Sequence, residues 1–175
     1  MDYNEKEITD KIKKAINGLI RKDFLLLTID SSERSIAHRL ACYLEDEFKK
    51  DDYSVDCEYN RREDRPKMIR RFWENIDKSQ LGKNVYPDII IHERGNNKRN
   101  LLVIEIKKSS NKSQEERDFD FLKLKAYMHE GDEYQYKYGL FVDFFVNEEF
   151  EKYPEIKFFR NFREISFESK YFGKI

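Results

Sequence analysis

With 175 residues, 39% of them charged and 39% hydrophobic, the chain has the size of one ordinary domain and well above the roughly one quarter of charged positions in an average soluble protein. Fourteen Phe and eleven Tyr, each able to bury roughly 150–250 Å², exclude wholesale disorder despite a mean hydropathy of -0.90. The 34 basic and 35 acidic residues nearly cancel, no apolar run approaches the roughly 18 residues of a membrane span, and the charged N-terminus is no signal peptide, so a soluble cytoplasmic protein without membrane contact is expected.

Residues 5–20 place Ile8, Ile12, Ala15, Ile16 and Leu19 at a helical period. Asp30 and Ser31 offer N-caps for a second helix reaching about residue 49. Glu33 follows Asp30 by three in capping-box spacing, and Ala37, Leu40, Leu44 and Phe48 form one stripe. The period then becomes two: Tyr53, Val55, Cys57 and Tyr59 alternate with polar residues, as in a half-buried strand. Strands over residues 86–92 and 101–107 flank the turn-rich Glu93-Arg94-Gly95-Asn96-Asn97 and read as a hairpin. A helix over residues 115–128 carries Phe121, Leu124 and Met128 on one side. Residues 138–146, apolar apart from Asp143, read as a central strand covered on both faces. A last hairpin uses residues 156–159 and 165–167. The core order is helix, strand, strand, strand, helix, strand, an α/β sandwich with a mixed sheet in a single domain, since no linker or repeat interrupts the chain.

Cys42 and Cys57 lack C-x-x-C spacing and are expected to be small buried hydrophobes rather than a zinc site or disulfide framework. The six glycines form no phosphate-binding loop. His38, His92 and His129 show no partner spacing. None reads as a metal ligand or general base.

The chemistry concentrates in Tyr86-Pro87-Asp88, followed seventeen residues after Asp88 by Glu105-Ile106-Lys107. In the second strand of the hairpin, Val103, Glu105 and Lys107 share one face, with Glu105 and Lys107 about 6.6 Å apart along the strand. Asp88 enters the neighbouring strand, so two carboxylates and an ammonium converge at a strand end. Mg²⁺ prefers oxygen ligands, commonly one or two carboxylates plus a substrate phosphate. Bound there it acidifies a water and neutralises charge growing on phosphoryl oxygens, while a lysine alongside orients or deprotonates that water.

Pro87-Asp88 with Glu105-Ile106-Lys107 resembles the PD-(D/E)XK nuclease superfamily, the restriction-endonuclease-like phosphodiesterases. The segment order is similar to that superfamily's core, a helix before three strands, a second helix and a fourth strand. The resemblance spans roughly residues 31–146, about two thirds of the chain, with the N-terminal helix and C-terminal hairpin added. It implies that Asp88, Glu105 and the Ile106 carbonyl bind Mg²⁺, with Mn²⁺ as a substitute, and that Lys107 handles the attacking water. Many members add a glutamate from the first core helix, and Glu33 matches it. Some place a Lys or Gln on the second helix to touch the scissile phosphate, a role open to Lys123. The implied activity is metal-dependent hydrolysis of nucleic acid, DNA first, by the chain alone, as a homodimer or within a larger complex.

A basic stretch joins the first and second core strands. Arg61, Arg62, Arg65, Lys67, Arg70 and Arg71 stand against Glu63 and Asp64, and could grip phosphates. Ile69, Phe72, Trp73 and Ile76 read as a short amphipathic helix within it, with Trp73 packed. Glu58, on the polar side of its strand, is left unassigned. No helix-turn-helix or zinc finger is visible, so the alternative is a non-cutting nucleic-acid- or protein-binding module that keeps the fold.

Overall fold

The computed structural model describes residues 3–59, 61–62, 65–66, 86–129, 134–161 and 163–167. Asn4 opens α1 (Glu5–Lys22) with a capping box, its side chain accepting from the Glu7 N–H while Glu7 reaches back to the Asn4 N–H. Ile8, Ile12, Ile16 and Leu19 then bury one stripe of α1. A short helix that the periodicity did not announce, α2 (Phe24–Thr28), follows and leaves Leu25 and Ile29 exposed.

Helix α3 (Glu33–Phe48) buries Ala37, Leu40, Leu44 and Phe48 as expected, but its cap is Ser32, whose hydroxyl accepts from the Ser35 N–H at 3.2 Å. Asp30 does not cap. It takes a left-handed backbone, φ 52, and turns its carboxylate to Lys108 instead. Strand β1 (Ser54–Cys57) is shorter than the alternation of Tyr53 to Tyr59 implies. It is an edge strand that Cys57 ends, so Cys57 is exposed and Cys42 half-buried rather than both being buried.

Strands β2 (Arg61–Arg62) and β3 (Arg65–Pro66) form a separate two-stranded ribbon. Strand β4 (Ile89–Glu93) turns through Arg94 and Gly95 into β5 (Asn96–Lys108); Gly95 sits at φ 78, where a side chain would be strained. Helix α4 (Gln114–Met128), capped by Ser113, crosses over to β6 (Tyr138–Phe144), and β7 (Glu155–Arg160) with β8 (Arg163–Ile165) make the last hairpin.

The six-stranded sheet runs β1-β4-β5-β6-β7-β8 and is mixed: β5 and β6 are parallel, the other neighbours antiparallel. Alternation sends Ile89, Ile91, Leu102, Ile104, Ile106, Leu140 and Val142 to one face, where α1 and α3 cover them. Ile90, Val103 and Phe141 point to the other, under Leu124, Tyr127 and Met128 of α4. Each fully buried aliphatic side chain contributes about 1.5–3 kcal/mol, so the larger helical layer under α1 and α3 dominates the core. The fold is mixed α/β with helices on both faces of an open sheet. Among the described residues no helix is long and apolar enough to cross a membrane.

Candidate active site

The β4–β5 register sets the geometry. Ile89 lies opposite Ile104, so Asp88, one residue before β4, comes alongside Glu105. Glu105 is fully buried and Lys107 is 8% exposed, both on the α4 face with Val103. Beyond the start of β4 the β5 edge has no strand partner among the described residues, and there the Ile106 N–H donates to Asp88 Oδ2 at 2.7 Å. A strand residue points its N–H and C=O to the same edge, so the Ile106 carbonyl faces the Asp88 side too.

Helix α4 adds two charges from above. Lys123 donates to Glu105 Oε2 at 2.6 Å and lies 2.8 Å from Asp120 Oδ1. Asp120, 3% exposed, places Oδ2 2.8 Å from Lys107 Nζ. That approach lies outside hydrogen-bond alignment, so the contact is a close ion pair. Lys123 therefore belongs to this buried charged cluster. Asp120 was missed as a site residue, although its spacing from Lys123 and Tyr127, three and seven residues, puts all three on one helix face.

Glu33 arrives from the other helical layer. Lys108 donates to the carbonyls of Asp30 and Ser31 at 3.2 and 3.1 Å and pairs with Asp30 Oδ1 at 2.8 Å, tying the start of α3 to the end of β5. Glu33 Oε2 then sits 3.4 Å from Lys107 Nζ, and Oε1 accepts from Asn111 Nδ2 at 3.4 Å. Asn111 also donates to Glu116 at 2.8 Å, and Glu116 approaches Lys107 at 3.8 Å from an exposed position. Sequence reasoning named neither Asn111 nor Glu116.

Asp88, Glu105, Asp120 and Glu33 face Lys107 and Lys123, so with all four carboxyls ionised the group carries a surplus of two negative charges. Burial pushes the Glu105 carboxyl well above the usual carboxylate range, and the Asp88 and Asp120 charges add to it against the opposing pull of Lys123. Burial also raises Asp88, opposed by Lys123 and by the Ile106 N–H. For Lys107 and Lys123 burial acts downward, but their carboxylate partners outweigh it and both end above the ordinary lysine value.

Glu105 Oε1 is buried and has no hydrogen-bond partner among the described residues. A bare carboxylate oxygen inside a surplus of negative charge fits a hard divalent cation, which takes oxygen ligands. Among the described residues no group of three or more His, Cys, Asp and Glu side chains forms a ready-made cage. Asp88, Glu105 and the Ile106 edge of β5 lie side by side at this strand end.

The remaining expectations divide. Lys67, Arg70, Arg71 and the amphipathic helix of Ile69, Phe72, Trp73 and Ile76 lie outside the described residues, and Arg61 and Arg62 are described only as backbone in β2. Glu58 pairs with Arg34 at 2.6 Å, and its N–H donates to the Asp88 carbonyl at 3.2 Å, bracing the turn before β4. His92, read as partnerless, is 4% exposed and lies 2.9 Å from Asp56 Oδ2, because the antiparallel β1–β4 register sets Asp56 opposite Ile90, on the same face as His92. His38 is exposed. No family model, curated protein or solved structure matches this chain.

Proposed function

We propose that this chain is a metal-dependent nuclease with a restriction-endonuclease-like core, hydrolysing phosphodiester bonds of nucleic acid, DNA first. The element order α3, β1, β4, β5, α4, β6 supports the core assignment. The observation that carries the function is Glu105, a fully buried carboxylate with one bare oxygen, beside Asp88 and two residues before Lys107. Asp88, Glu105 and the Ile106 carbonyl would hold Mg²⁺, with Mn²⁺ as a substitute, and the ion would supply an acidified water and neutralise charge on the phosphoryl oxygens.

The chain's own residues do the rest. Lys107, kept charged by Asp120 and Glu33, would orient the attacking water by donating to it and offset charge growing on the phosphoryl oxygens as the alkoxide leaves. Its 2.8 Å pairing with Asp120 suits it to act on the water as an orienting cation. The Ile106 N–H holds the Asp88 carboxylate in one orientation at 2.7 Å, so its second oxygen is presented consistently.

The test is cleavage of a panel of labelled linear, branched and single-stranded DNA and RNA by the wild type and Lys107→Ala, with Mg²⁺, Mn²⁺ or chelator. Cutting that needs metal and vanishes in the variant is expected. No cutting together with no metal-induced rise in melting temperature overturns the reading. One observation favours the second reading, a non-cutting module: both ammonium groups already have carboxylate partners. In that case metal alters neither melting nor binding of any panel member.

A further inference from the structure

Asp120 joins two lysines that belong to different elements. Its Oδ1 lies 2.8 Å from Lys123 on its own helix, and its Oδ2 lies 2.8 Å from Lys107 on β5. The side chain is 5% exposed, a burial that a carboxylate tolerates only among cations. The chain of contacts runs from Glu33 through Lys107, Asp120 and Lys123 to Glu105, with Asp120 at its centre.

The two lysines depend on it unequally. Lys123 has a second close partner in Glu105 at 2.6 Å. Among the described residues Lys107 otherwise has longer contacts, 3.4 Å to Glu33 and 3.8 Å to Glu116, and the Glu116 side chain is 59% exposed. Removing Asp120 would leave the Lys107 ammonium to Glu33 in the first turn of α3 and Glu116 in the first turn of α4, away from Glu105.

We propose that Asp120 is a positioning residue, a clamp that holds the Lys107 ammonium at the Glu105 end of the site and locks α4 to β5 through it. Its consequence for catalysis rests on the nuclease reading; the clamp itself does not. Asp120 touches no reacting atom in this role. It acts through Lys107.

The experiment labels the folded protein briefly with an amine-acylating reagent and reads each lysine by mass spectrometry, in the wild type, Asp120→Asn and Asp120→Glu. In the wild type Lys107 and Lys123 should label far more slowly than the exposed Lys50 and Lys98. Asp120→Asn should speed Lys107 by about tenfold or more, Lys123 by less, and Lys50 and Lys98 not at all. Asp120→Glu, which keeps the charge, should restore protection. In cleavage assays Asp120→Asn should lower kcat about 100-fold with little change in KM, the effect of a displaced catalytic group.

Unchanged Lys107 labelling in folded Asp120→Asn overturns the clamp. Should that variant not fold, the wild type alone decides: Lys107 labelling as fast as Lys98 overturns it equally. Protection lost as described in a protein that neither cuts nor gains melting temperature with metal upholds the clamp and rejects the nuclease. Cutting that is equal in both proteins, with Lys107 labelling unmoved, does the reverse.

Discussion

Lys107 and Glu33 stand 74 positions apart in the chain and meet at 3.4 Å, one from the sheet and one from the first turn of α3. The meeting depends on a neighbour. Lys108, on the opposite face of β5, grips the Asp30 carboxylate and the carbonyls of Asp30 and Ser31, which sets where α3 begins.

The latch at Asp30 predicts a distinction between two small substitutions. Asp30 has φ 52, a conformation that costs a side chain with Cβ about 1–2 kcal/mol and glycine nothing. Both Asp30→Ala and Asp30→Gly lose the Lys108 pair, worth about 0.2–1 kcal/mol at a half-exposed position. Urea unfolding should therefore find Asp30→Gly more stable than Asp30→Ala by about 1 kcal/mol. Equal stabilities would mean that the backbone at residue 30 is not held as described.

If Asp88 and Glu105 hold a divalent cation as proposed, Asp88→Asn and Glu105→Gln should both abolish the metal-induced rise in melting temperature and all cleavage, since each removes an anionic oxygen. Without metal, Glu105→Gln should unfold within a few degrees of the wild type, because Asp120 remains beside Lys123. Differential scanning calorimetry with and without Mn²⁺ checks this. An intact metal shift in either variant would falsify the ligand assignment.

The raised carboxyls make a pH prediction. Glu105 and Asp88 bind their protons more tightly folded than unfolded, so their contribution is complete below the ordinary carboxylate range and is lost as pH climbs through the raised values. Asp23, Asp30, Asp51 and Asp56 are shifted the other way, and what they contribute is already complete above about pH 4. Between about pH 5 and pH 8 the metal-free protein should thus lose stability. Under the proposed ligand assignment Mg²⁺ should restore more at the upper end, where both carboxyls are ionised. Melting curves across that range with and without Mg²⁺ decide it, and a metal effect largest at pH 5 would contradict it.

Gly18 offers a test of packing against propensity. Alanine in a helix interior gains about 1 kcal/mol over glycine. Here a Cβ would stand 2.8 Å from Tyr43 Cδ1, and that ring is held by its hydroxyl, which donates to Asp23 Oδ2 at 2.6 Å. Overpacking of this kind costs about 1–3 kcal/mol, so Gly18→Ala should destabilise on balance. In a Tyr43→Ala background the sign should reverse, which a double-mutant cycle by urea unfolding reads directly.

Much of this could be read along the chain because it depends on local geometry. The stripe of Ala37, Leu40, Leu44 and Phe48 implies its own buried face at 3.6 residues per turn, and the two-residue period of Val103, Glu105 and Lys107 puts the three on one side whatever surrounds them. Asp88 beside Glu105 followed from a hairpin, which is also local. The cap at Ser32 instead of Asp30 and the partner of His92 were not legible, since Lys108 and Asp56, which decide them, come from other elements. Asp120 is the clearest case. Its helix face could be computed from spacing, but whether that face meets solvent or β5 depends on where the parallel crossover from β5 to β6 sets α4 down. Periodicity determines which side chains travel together, and only packing between distant segments decides what charge each of them meets.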